Sequence, residues 1–207
     1  MSLRLRLYVT AVVMMALALL ALTAAPALPE RWITYLLWTG VCVVAELLWL
    51  PTLSREATVS MASAANLATL ALWGTWPAMA AVGVSTLVAN RVFQHKPMVR
   101  TVFNFGQAVI TIWAAGLVMQ ALGHPAEGIG PSGRLSFGEV GAVTLTAVMF
   151  VGFLAYLLVN RLLVSAAVSW SSDRPYQRVL REDWFHRERL LNDMALFFLS
   201  PLAVISF

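Results

Sequence analysis

Seven apolar runs set the terms for this chain. They fall at about 7–25, 32–50, 58–73, 77–90, 101–122, 140–168 and 190–207. About 20 helical residues cross the roughly 30 Å of bilayer hydrocarbon, and most of these runs approach that length. None alternates apolar and polar residues with period two, which argues against a β-barrel. The expected fold is all-α and integral to the membrane. It has about seven transmembrane helices in a single transmembrane domain over residues 1–207. Composition agrees, with 60% apolar residues, 12% charged residues and a mean hydropathy of +0.78. A soluble fold of 207 residues could not cover that much apolar surface, so the lipid bilayer is the first expected partner.

The opening stretch, MSLRLRLYVTAVVMMALALLALTAAPALPE, has the basic start, apolar middle and small residues of a signal peptide. Its apolar part is long enough to cross a bilayer and a multi-spanning chain follows, so it reads as a retained first helix. The net charge of +4 does not indicate nucleic acid, because the basic residues flank apolar runs instead of forming a patch. They do fix an orientation. With the N-terminus in the cytoplasm and seven crossings, 12 of the 14 Lys and Arg residues fall on or near the inner side, and only Arg31 and Arg134 lie outside. The expected protein is therefore multi-pass, with its N-terminus on the cytoplasmic side of the membrane.

Two runs are short. Residues 58–73 and 77–90 would make helices of about 24 and 21 Å, joined only by GTWP. The expected short helical hairpin at 58–90 either spans a thinned membrane or re-enters it. Its many small residues, from Ala62 and Ser63 to Gly83 and Ser85, suit close helix packing. The loop 123–139 is rich in Gly and Pro and has no periodicity. Segment 171–189 carries mixed charge with Trp184 and Phe185, which predicts an interfacial helix near the anionic inner leaflet.

Polar residues inside the apolar runs fall at one depth. Glu46, Ser63, Asn66, Asn90, Asn104, Gln107, Asn160, Arg161, Asn192 and Asp193 all lie toward the inner side, contributed by six helices. Unpaired polar groups are costly in lipid, so these side chains are expected to face inward and bond one another. Asn and Gln both donate and accept, which suits a network between helices. Glu46 and Arg161 are the natural ionic pair. This layer is either pure architecture or a ligand-binding or switch layer as well. The outer half is almost wholly apolar apart from hydroxyls and Gln120.

Catalytic chemistry is not indicated. His95, His124 and His186 lie in different loops without ligand spacing, so no metal site is expected. The single cysteine, Cys42, rules out an intrachain disulfide and reads as a small core or lipid-facing residue. Phosphate-binding loops and nucleophile elbows are missing from the pattern. No enzyme activity and no cofactor are expected within this chain.

Five features occur in order: AELLWLP at 45–51, ATVSMASAANLATLALWG at 57–74, ANRVFQHKP at 89–97, VFNFGQ at 102–107 and LLNDMALFFLSPLA at 190–203. Together they resemble the MASE-like multi-helix membrane module at the N-terminus of bacterial signalling proteins. There it precedes an HD or HD-GYP phosphohydrolase, GGDEF or histidine-kinase domain. The resemblance implies a sensor domain for signal transduction, coupled to a cytoplasmic output domain or partner. It also implies an eighth helix, so the chain would be either a fragment of a longer protein or a stand-alone relative. Two other expectations stand beside it. One is an accessory or scaffold subunit of a larger membrane complex, which a homodimer, the other expected association, would argue against. The other is a small-solute binding or transport subunit.

Overall fold

A computed structural model describes residues 3–23, 32–51, 58–123, 142–184, 194–195, 197–200 and 204. Six of the seven apolar runs form helices. These are α1 (Leu3–Leu22), α2 (Trp32–Leu47), α3 (Ala62–Trp73), α4 (Thr75–Val88), α5 (Met98–Ala121) and α6 (Ala142–Ser172). A polar helix, α7 (Tyr176–Trp184), follows α6. Of the last run, residues 194–195, 197–200 and 204 are described, and all are helical.

Among the described residues, three helices are long and apolar enough to cross a membrane: Leu3–Leu22, Met98–Ala121 and Val143–Ser172. α2 and α3 are apolar but shorter. α5 lies at the centre and packs against α1, α4 and α6. Glycine lets two of those contacts close. A Cβ on Gly106 would meet the backbone carbonyl of Val12 on α1 at 3.1 Å. A Cβ on Gly116 would run into the Thr75 side chain at the start of α4, reaching its Cγ2 at 2.8 Å.

The runs expected as helices at 32–50 and 58–73 are not helical to their facing ends. α2 stops at Leu47, and Trp49–Pro51 (β1) pairs antiparallel with Thr58–Ser60 (β2), Trp49 opposite Ser60. Proline supplies no backbone donor and cannot continue a helix interior, and the Thr-Val pair favours extended backbone. The ribbon lets the chain leave α2 and enter α3 side by side.

The expected hairpin is present, but its turn is tighter than GTWP. Gly74 alone breaks the helix, at φ 78°, and its N–H returns to the Leu70 carbonyl. Only glycine enters that left-handed region without strain. α3 has twelve residues and spans about 18 Å. α4 has fourteen, and a five-residue π turn, Ala89–Phe93, extends it so that the two together reach about 28 Å. Both helices are buried against protein along most of their length.

Aromatic side chains near the ends of membrane helices commonly sit at the membrane–water interface. Around the hairpin tip several turn inward instead. Trp73 is buried and its ring meets Tyr35 edge-on at 5.5 Å. The Tyr35 hydroxyl donates to the Pro77 carbonyl at 2.8 Å, and Trp76 Nε1 donates to the Leu20 carbonyl at 3.1 Å. These rings tie α1 and α2 to the hairpin.

Candidate functional site: a polar layer across the helices

The π turn is the pivot of the site. A π turn spaces its carbonyls wider than an α-helix does, and such turns recur at functional sites. Here Gln94 N–H bonds the Ala89 carbonyl at 2.9 Å, and Lys96 N–H bonds the Asn90 carbonyl at 2.9 Å. Asn90, fully enclosed, turns its amide back to the Thr86 carbonyl at 2.7 Å. Its Oδ1 accepts from Asn104 Nδ2 of α5 at 3.0 Å.

Three residues along α5, Gln107 takes the layer onward. Positions i and i+3 share a helix face, so Asn104 and Gln107 both point out of the same side of α5. Gln107 Nε2 donates to Asn160 Oδ1 of α6 at 2.8 Å. Thr111, one turn further on α5, sits within 3.5 Å of the same Nε2.

On the other side, Glu46 closes the layer. It stands one residue before the end of α2, and its Oε1 accepts from the Thr86 hydroxyl at 3.2 Å. Its backbone carbonyl accepts from Gln94 Nε2 at 3.1 Å, while Gln94 Oε1 is buried with no partner among the described residues. Thus Glu46, Thr86, Asn90 and Asn104 join α2, α4, the π turn and α5, and Gln107, on the same face of α5, separately joins α5 to Asn160 of α6. Lys96, just past the π turn, feels this carboxylate. Burial holds the Lys96 ammonium below its ordinary value, with Glu46 pulling it up and Arg100 pushing it further down.

Asn66 of α3 is enclosed and reaches the Tyr156 hydroxyl of α6 at 3.4 Å, a long contact. Its Oδ1 has no partner among the described residues. Tyr156 lies one turn before Asn160 on α6, so this contact borders the same layer. Ser63 is half-buried, and its side chain makes no hydrogen bond among the described residues. Arg161 is buried on α6. The expected Glu46–Arg161 pair does not form. Glu46 is held by Thr86, and the two acidic and basic groups lie on helices that hardly meet, since α2 packs on α3, α4 and the π turn. Asn192 and Asp193 lie outside the described residues.

Two polar groups that sequence reasoning passed over carry real connections. Thr86 joins Glu46 to the π turn, and Tyr156 receives Asn66. A threonine in an apolar run gives a weak signal, because its hydroxyl can also fold back on its own helix. Away from the layer, Gln120 Nε2 donates to the Thr75 hydroxyl at 2.6 Å and latches the hairpin tip to α5. Cys42 is enclosed, its Sγ 3.1 Å from the Thr69 hydroxyl, which also accepts from Trp38 Nε1 at 2.6 Å.

Among the described residues no group of His, Cys, Asp or Glu is placed to hold a metal ion. His95 sits in the turn after the π segment, at φ 49°; His124 and His186 lie outside the described residues. Comparison with protein-family models, with curated proteins and with solved structures returns no match.

Proposed function

We propose that this chain is a multi-pass sensory input module of a bacterial inner membrane. In this reading about seven helices cross the bilayer, the N-terminus is cytoplasmic, and the chain couples a membrane or small-ligand signal to a cytoplasmic output domain or partner. One observation supports it most: two hydrogen-bonded stretches meet on one face of α5, Glu46–Thr86–Asn90–Asn104 and Gln107–Asn160. Each interhelical bond of this sort contributes only about 0.6 kcal/mol in membrane proteins. A chain of weak, exchangeable amide bonds has alternative pairings close in energy, which is what a two-state element requires. The π turn in its middle supplies a segment able to change winding. An apolar seam of the same area would offer no second set of partners.

The test uses the full reading frame in its native membrane. Glu46→Gln and Asn104→Leu are expected to alter output while membrane levels stay normal. Normal output from both variants at normal levels would reduce the layer to interhelical glue. Topology is tested separately, by reporter fusions after Gln94 and after Leu122, expected inside and outside respectively.

A further inference from the structure

The corner where α1 begins and α6 passes into α7 combines exposed rings with guanidinium groups that find no carboxylate among the described residues. Tyr8 of α1 packs edge-on against Trp170 at 4.5 Å, and its hydroxyl donates to the Leu163 carbonyl at 2.9 Å. Tyr176, the first residue of α7, lies within electrostatic reach of the same hydroxyl. Trp170 and Tyr176 remain 41% and 37% exposed. Amphipathic rings of this kind favour the headgroup level of a bilayer.

The corner is rigid. The Ser169 hydroxyl donates to the Arg174 carbonyl at 2.6 Å, and Arg174 N–H bonds the Ser169 carbonyl at 3.2 Å. Pro175 then starts α7, its carbonyl accepting from Arg178 and Val179 N–H groups. α7 packs on α6 and buries Val179.

Two of the arginines here are already occupied. Arg174 binds both carboxylate oxygens of Glu182, at 2.5 and 2.6 Å, and Arg178 binds one at 3.2 Å. The Arg174 hydrogen bond, more than any other influence, holds the Glu182 carboxyl below its ordinary range, so Glu182 stays anionic at neutral pH. Arg4, Arg6 and Arg181 are different. All three are exposed, and their side chains have no hydrogen bond or ion pair among the described residues. Arg4 precedes Tyr8 by one turn, on the same face of α1 and about 6 Å further out. Arg181 stands on the side of α7 opposite the buried Val179.

We infer that this corner docks the anionic headgroups of a phospholipid leaflet, with Arg4, Arg6 and Arg181 as the cations and Trp170 and Tyr176 as the rings beside them. Charge complementarity selects the occupant. The cations sit where a membrane-length helix ends, next to rings that prefer the interface, so the leaflet around the protein reaches them first. The inference does not rest on a sensory role.

The experiment places the whole protein in vesicles of mixed phosphatidylcholine and phosphatidylglycerol and measures its selectivity with spin-labelled lipids. Attraction to an anionic surface is on the order of fivefold per arginine. The wild type is expected to prefer phosphatidylglycerol several-fold. In the Arg4→Gln/Arg6→Gln/Arg181→Gln variant that preference should fall clearly below the wild-type value, with the other inner-side basic residues keeping part of it. Should the triple variant fold poorly, Arg181→Gln alone is expected to lose part of the preference, and about 1 M salt is expected to remove most of it from the wild type. Equal selectivity in wild type and variants overturns the inference. So does a wild type with no preference, which would leave the corner to an acidic soluble protein.

Discussion

α1 and α3 are both apolar helices, yet they meet opposite surroundings. α3 buries ten of its twelve residues against the rest of the chain. α1 fully buries three of its twenty, Val9, Val12 and Ala16, packs Leu5, Tyr8, Val13, Leu19 and Leu20 partly against the core, and shows most of the rest outward. Apolar composition alone does not separate a helix enclosed by protein from one enclosed by lipid. Length and side-chain size do. α1 has the reach to cross hydrocarbon and carries bulky Leu and Met outward, whereas α3 is short and built largely from Ala, Ser and Thr. The short helix therefore answers to packing tolerances of tenths of an ångström, and the long one answers to a solvent of fluid chains.

That contrast can be broken or sharpened by substitution, with stability read from thermal unfolding in one detergent. The largest effect is expected at Gly116→Val, which drives a side chain into Thr75 where the hairpin tip meets α5. Overpacking of this kind costs about 1–3 kcal/mol. A silent Gly116→Val would mean the tip is not clamped. Next comes Asn104→Leu, which leaves Asn90 Oδ1 enclosed without a donor and should cost about 1 kcal/mol. The double variant Asn90→Leu/Asn104→Leu is expected to cost less than the two single changes added, since neither partner is stranded. Strict additivity would show that the two amides do not bond. Gln120→Leu, which removes the latch on Thr75, should cost about 0.6 kcal/mol. Leu17→Ala, on the outward face of α1, should change stability by less than about 0.5 kcal/mol. A large loss there would place α1 against a protein surface and erase the difference from α3.

Helices were legible because burial in protein and burial in lipid impose the same demand: continuous apolar sequence with every backbone group paired internally. The hairpin at 58–90 was legible from its small residues and from the glycine between its arms. The ribbon at 49–51 and 58–60 was not. Three residues per strand carry too little pattern to oppose the apolar runs on either side. Of the helix expected within 171–189, Tyr176–Trp184 forms one, α7, and residues 185–189 lie outside the described residues. For the polar layer, the expected depth rests on counting each position from the end of its run. Partners were not readable, because pairing depends on how helices rotate. Glu46 was matched to Arg161 by charge, but the chain puts α2 beside α4, and the carboxylate meets Thr86 instead. The π turn was illegible for a related reason. It follows from how Asn90 is seated among its neighbours, and no residue type announces it.

That wide turn has a mechanical consequence. It stores one surplus residue in the winding of the helix, and a surplus can be handed along. Shifting it by a single position turns the intervening residue about 100° around the axis while most of the ladder stays intact. Gln94 and Lys96, carried on the far side of that slack, would swing relative to Glu46 without either helix having to slide.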